Sequence, residues 1–262
     1  MLVLILYLPM KKLILFFTIS AIWPALAQKS TVPVGEKLVF AASYNMAGLL
    51  TQLAQVTLST ELVSTSKKTL LHLSCEAATY SKWDSFFKIR DAYETYVDPV
   101  SLKPSLYKRD IFEGGYTKKE KYLFQKDGNS IASTVTKKKK PETKSTFAIK
   151  PGTQDIVSLI YKLRTIDFAR QNKLQITRFT AVFDEEELGV SVKYLGTEKI
   201  NAGVLGDKLC YKISIGARTA ALRGTDKNII WLTADSQKIP CLIRFSIPVG
   251  TGQLLLTQIT KN

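Results

Sequence analysis

From Glu36 to Thr260 the chain consists of short runs in which apolar and polar residues alternate, separated by turn-forming residues. Alternation of period two gives an extended strand one apolar face, so such a chain must gather its runs into sheets before it can bury anything. Leu38, Phe40, Ala42 and Tyr44 open the series, Gly48 marks a turn, and Val56, Leu58 and Leu62 fall in the next run, Leu53 to Leu62. Beyond the polar turn Ser64 to Lys68, Leu71, Leu73 and Cys75 face one way while His72, Ser74 and Glu76 face the other. The aromatic block YSKWDSFFKIRDAYETYV then reads as sheet, because such side chains suit pleated surfaces. Leu106 to Phe112, Tyr116 to Phe124 and Ser130 to Thr136 follow, with turns at Gly114 and Gly115 and at Asp127 and Gly128, the second a good hairpin signal.

Pro151 to Phe168, PGTQDIVSLIYKLRTIDF, breaks the pattern. Ile156, Leu159, Ile160 and Leu163 recur at helical spacing and predict one apolar stripe. Thr153 is the predicted N-cap, Asp155 stands in the first turn, and Lys162 and Arg164 lie where the helix dipole favours positive charge. Lys137 to Lys140 reads as a solvated loop, and Pro141 to Lys150 as the lead into the helix. After the helix, Leu174 to Phe183 and Leu188 to Tyr194 flank a polar tip at Asp184 to Glu187. Leu209 to Ile215, Asn228 to Thr233, Cys241 to Ile247 and Gln253 to Thr260 close the chain as a meander. Short connections favour sequential antiparallel pairing. The expected fold is therefore mainly β: a large antiparallel sheet, curved or barrel-like, with one amphipathic helix at about residues 153–168 packed against it.

Residues 1–27 read as a signal peptide, with Lys11 and Lys12 ahead of the apolar Leu13 to Trp23 and a small-x-small site at Ala25 to Ala27. Cleavage after Ala27 leaves a single β-rich domain, 28–262, in the periplasm or outside the cell. A retained membrane anchor is the alternative, and either Met1 or Met10 can serve as the start. No cysteine follows the site to carry a lipid. Removing residues 1–27, with two lysines and no acids, lowers the formal net charge from +15 to +13. So basic an exported protein is drawn to anionic lipid head groups or acidic envelope polymers, and to peripheral membrane contact, rather than to nucleic acid. Charge that only maintains solubility is the plainer reading. Cys75, Cys210 and Cys241 each lie in an apolar strand-like run, as buried small hydrophobes do; a Cys210–Cys241 disulfide is compatible with their spacing but not fixed by it.

The stretches GEKLVFAASYNMAG, WDSFFKIRDAYETYVD with RDIFEGGY, TQDIVSLIYKLR, VKYLG and IPCLIRFSIPVG appear in an order that resembles an exported bacterial family known only as domain of unknown function family 3108. The resemblance runs from about Gly35 to Thr260. Ala54 departs from it, standing where members tend to carry glycine. What the resemblance implies is a secreted or periplasmic β-rich protein with no assigned activity and no catalytic residues to transfer.

Catalytic signatures are absent. The one histidine, His72, lies in a strand-like run and reads as a sheet residue; there is no G-x-S-x-G elbow. The S-x-x-K matches at Ser64 and Ser105 fall in a turn and a strand, not on a helix. Metal-ligand and phosphate-loop spacings are missing, so no metal or other cofactor is expected. Binding is easier to motivate. Trp83 and Phe87 with Arg90, Arg109 and Arg164 would line an apolar concavity whose arginine forks suit an anionic head group. The competing reading makes the aromatics core and pairs the arginines with Asp91, Asp110 and Asp167. The function classes left are binding or carriage of an amphipathic or anionic envelope component, hydrolysis of an envelope polymer through unrecognised carboxylates, and a structural or protein-interaction role.

Overall fold

The computed structural model describes residues 32–46, 48–217, 228–247 and 250–261; the leader 1–27 and its cleavage site lie outside them. The first half runs β1 (Glu36–Met46), β2 (Leu49–Ser64), β3 (Thr69–Thr79), β4 (Arg90–Val97), β5 (Pro104–Glu113), β6 (Tyr116–Phe124), β7 (Ser130–Lys137) and β8 (Thr143–Ala148). A two-residue β9 (Gln154–Asp155) leads directly into α1 (Ile156–Leu163). The second half is β10 (Ile176–Phe183), β11 (Glu186–Asn201), β12 (Asp207–Ala217), β13 (Ile229–Thr233), β14 (Pro240–Ile247) and β15 (Gly250–Lys261). The fifteen strands of the described residues form one sheet, in which each strand neighbours the next in sequence within each half and β1 pairs with β15 to join the halves. Every pairing is antiparallel except β9 with β10. The sheet is open, with β8 at one end of the order and β9 at the other.

Two expectations need correcting. The helix is shorter than residues 153–168, because Gln154 and Asp155 pair with Ala181 and Val182 as β9, which makes Asp155 rather than Thr153 the N-cap. Pro141 to Lys150 is more than a lead-in, since it contains β8. That strand is nearly all exposed, so it lacks the alternation that would have marked it. Ala54 lies beside a register shift between β1 and β2, where Ala42 pairs with Ala54 and Ser43 with Gln52, leaving Leu53 as the extra residue of a bulge.

No residue of α1 is exposed. Val157 and Tyr161 enter one apolar cluster with Leu71, Leu73, Val97 and Tyr107; Ile160 packs against a second around Leu38, Phe40, Leu58 and Leu256. Leu163, with Ile166 and Phe168 just beyond, joins a third with Val192, Tyr194, Ile213 and Leu232. The predicted stripe is therefore only part of the contact, and the sheet surrounds the helix. Polar tethers fix its ends. Asp155 accepts from the Val157 and Ser158 amides, each at 2.9 Å, and from Thr95 Oγ1 at 2.7 Å, while Ser158 Oγ accepts from the Asp155 amide, a capping box. At the C-terminus Arg164, itself buried, forks onto buried Glu36 at the start of β1, with Nη2 to Oε2 at 3.0 Å, and donates to the Gln237 carbonyl at 3.1 Å.

Side chains span the gap in the sheet. Asp184 and Glu185 form the β10–β11 turn with φ of 51° and 65°, and their side chains reach the first half. Asp184 Oδ1 accepts from Arg109 Nη1 at 2.6 Å and Lys118 Nζ at 2.7 Å; the Glu185 amide donates to Tyr122 Oη at 2.9 Å, and Ser145 Oγ to Glu185 Oε1 at 2.7 Å. Beneath them Glu120, almost fully buried, binds Arg109, Lys118 and Tyr122. The acidic tip is thus a docked clasp and not a solvated turn, and the two cations hold the Asp184 carboxyl below the usual carboxylate range despite its desolvation.

Two predictions follow from these buried charges. Removing one member of the Arg164–Glu36 pair strands the other in the core, so Arg164→Met should cost about 3–5 kcal/mol. Adding Glu36→Leu should recover most of that loss; equal, additive losses in a denaturant-melt double-mutant cycle would contradict it. Asp91, at the start of β4, is pushed up to about 7 by burial, with Glu113 adding repulsion, although the Phe112 amide donates to it at 3.1 Å. A carboxyl whose folded pKa is raised binds more protons folded than unfolded, so its stabilisation is complete below about pH 4 and is lost as pH rises through 7. Asp91→Asn keeps the oxygen that accepts from Phe112 and should flatten the fall in Tm between pH 4 and 7; an unchanged profile would refute the assignment.

Candidate functional site

Because the strands alternate in direction, the β1–β2, β5–β6, β10–β11 and β14–β15 hairpins and the β3–β4 loop share one end of the sheet. The loop 80–89 places Trp83, Phe87 and Arg90 together there. Trp83 donates its indole N–H to the Gln52 carbonyl at 3.0 Å, and Phe87 covers Gly114, where a Cβ would lie 2.6 Å from its ring. Arg90 forks onto Asp84 at 3.0 and 2.5 Å. Phe86 is 80% exposed and Leu49 71%, with Lys82 and Lys88 near Phe86 in the chain, so this rim is both apolar and basic. Arg109 lies inside near the same end, its guanidinium 4.5 Å from the Phe183 ring. Arg164 lies apart, at the start of β1. The structure therefore gathers three of the five sequence candidates and separates Arg164 from them.

All three arginines do bind carboxylates, but not the neighbouring ones expected. Arg90 takes Asp84, Arg109 takes Glu120 and Asp184, and Arg164 takes Glu36. Asp110 and Asp167 pair instead with Lys119 and Arg170. Adjacent strand residues point to opposite faces, so partners come from across the sheet.

A groove missed by sequence reading has the more open cationic chemistry. It has a volume of about 810 Å³ and is lined by Leu50, Leu195, Ile229 and Phe245 on its apolar side, and by Glu198, Lys212, Arg244 and Gln253 among its polar groups. Trp231 forms its floor. It is almost fully buried in the second apolar cluster, with Leu38, Phe40, Leu242 and Cys241, whereas Ile230 and Leu232 on either side of it pack in the third. Its indole N–H donates to Glu198 Oε2 at 2.9 Å, and Lys212 Nζ lies 3.0 Å from the same oxygen. These two contacts hold the Glu198 carboxyl below its usual range. Arg244 stacks 5.2 Å from the Trp231 ring and Lys212 lies 5.4 Å from it. No local pattern announces this site, since its residues come from β1, β2 and β11 to β15 and meet only through register.

The chemistry available elsewhere is thin. His72 stacks on Tyr96 at 4.6 Å and faces Glu94 at 3.4 Å, with no nucleophile against it. Among the described residues no group of three or more His, Cys, Asp or Glu side chains could hold a metal ion, and no helix is long and apolar enough to cross a membrane. Asp91 lines a recess of about 340 Å³ with Glu76, Arg90 and Asp110. Burial and the neighbouring Glu113 carboxylate both raise the Asp91 carboxyl.

The fold has relatives among solved structures. A β-barrel-like protein of domain of unknown function DUF1849 from Brucella abortus aligns with a TM-score of 0.57 at 11% identity, over 88% of this chain and 99% of that one. A "putative exported protein with YmcC-like fold" from Bacteroides fragilis (TM-score 0.31, 8% identity, 89% and 100% covered) and a "putative lipoprotein" from Parabacteroides distasonis (0.35, 9%, 88% and 99%) are more distant. No curated protein matches the chain in sequence. The model of the protein family of unknown function DUF3108 matches residues 39–257, most of the chain, and the chain belongs to that family.

Proposed function

We propose that this is an exported, non-enzymatic envelope protein that binds or carries an amphipathic, anionic envelope component. The groove on Trp231 is the seat. The observation that carries the reading is the pair of cations over one tryptophan ring, Arg244 at 5.2 Å and Lys212 at 5.4 Å, beside an apolar wall that includes Leu50 and Phe245. Glu198 holds the indole and orients Lys212, which leaves the exposed Arg244 fork to meet a phosphate or carboxylate. Acyl or other apolar substituents would lie along the wall. The arginines Arg90, Arg109 and Arg164 serve this reading poorly, because each is already bound to a carboxylate of the chain.

Native mass spectrometry of the protein isolated from its own envelope should find a lipid-like adduct, and titration with envelope lipid extract should reproduce it. Arg244→Glu should weaken binding at least about tenfold, or ~1.4 kcal/mol, and added salt should weaken the wild type in the same direction. A clean apo mass that does not change on incubation with the extract, or a variant that binds as the wild type does, would sink the reading.

A further inference from the structure

Cys210 lies on β12 and Cys241 on β14, on either side of β13, and both are completely buried. Side chains two strands apart in a regular sheet are separated by roughly 9–10 Å, too far for a disulfide. Here the two Sγ atoms are 3.4 Å apart. The reason is a register shift: Trp231 pairs with Leu242 and Leu232 with Pro240, which leaves Cys241 as the extra residue of a bulge. Cys210 pairs with Thr233, the last residue of β13, so the two thiols meet where the intervening strand ends. Cys241 Sγ also lies 3.3 Å from the Trp231 carbonyl oxygen, directly behind the groove floor.

We propose that Cys210 and Cys241 are oxidised to a disulfide in the mature protein, a bond that ties β12 to β14 behind Trp231. The oxidant is a disulfide of the export compartment, protein-borne or small. The Cys210 thiolate attacks one of its sulfurs, forms a mixed disulfide and releases the first oxidant thiolate. The Cys241 thiolate then displaces the second, the Sγ–Sγ bond forms, and the oxidant leaves as a dithiol, the two cysteine protons having passed to solvent or to the leaving thiolates. Burial places the reaction during folding, before β12 and β14 close over the pair. Cys75 remains the free thiol: burial pushes it up to about 12, and it sits on β3, paired across the sheet with Leu58 and Tyr93. The proposal rests on the export reading for its oxidant but on the contact geometry for its partners, and these can be tested separately.

The reduced protein is refolded with oxidised and reduced glutathione, denatured and alkylated; in parallel, the protein is trapped with alkylating agent directly from the envelope fraction. The expected result in both is one alkylated thiol out of three and an intact mass lower by two hydrogens. Wild type and Cys75→Ser should each lose about 5–10 °C in Tm on reduction, and Cys210→Ser none. Three alkylated thiols after refolding with glutathione would overturn the pairing. A bond formed in vitro but absent from the trapped protein would leave the pairing standing and overturn the export reading instead.

Discussion

An eight-residue helix does not persist in water by itself, because the nucleation cost exceeds what so few intrahelical hydrogen bonds return. In this protein α1 persists because the sheet closes around it, and the sheet in turn has a core to close around only because α1 fills its concavity. The mutual dependence is visible in the three apolar clusters, all of which include residues from α1 or the turn after it. Polar chemistry sets the position. Asp155 satisfies the first helical amides and Thr95 on β4 at once, and the desolvation that raises its carboxyl above the usual range is offset by those three hydrogen bonds. Arg164 and Glu36 then fix the other end to the strand at which the two halves of the sheet meet.

The same economy explains how an open sheet avoids an exposed seam. A closed barrel satisfies every edge with backbone hydrogen bonds. Here the β10–β11 turn crosses the gap, and Asp184, Glu185 and Glu187 bind donors on β5, β6, β8 and the segment before the helix. A clasp of side chains is directional but has few bonds, whereas the β1–β15 ladder on the far side is continuous apart from one bulge. The fold is therefore strongest where its first and last strands pair and depends on charge where its middle strands meet.

Much of this was legible in the sequence, and the failures share one cause. Apolar runs between turn signals, alternating with period two in the clearest cases, located β1 to β3, β5 to β7 and β10 to β15. The same test passed over β8, whose residues are exposed on both sides and leave no alternation to detect. Helical spacing located α1 but overran it, since Gln154 and Asp155 are claimed by a two-residue pairing to β10 that no local propensity encodes. Charge partners were the least legible. Arg164 meets Glu36 across 128 positions of chain and Arg109 meets Asp184 across 75, and such separations are set by topology. The Trp231 groove eluded the sequence for the same reason.

That topology also bears on where a ligand could sit. Barrel-like carriers commonly hold ligands in the interior, but here the helix and its clusters occupy the concave side of the sheet. Chemistry open to solvent is displaced to the loop-bearing end, where the Trp231 groove opens between the β1–β2 and β14–β15 hairpins. The bulge at Cys241 does two things: it brings the second thiol against the first, and it sets the carbonyl of Trp231 against sulfur. A groove floor backed by a covalent cross-strand tie would keep its tryptophan ring, and the cations stacked on it, in one geometry whether or not a ligand is bound. Preorganisation of this kind lowers the ordering cost of binding, so the proposed disulfide would couple to the proposed groove through the Trp231 backbone that Cys241 touches.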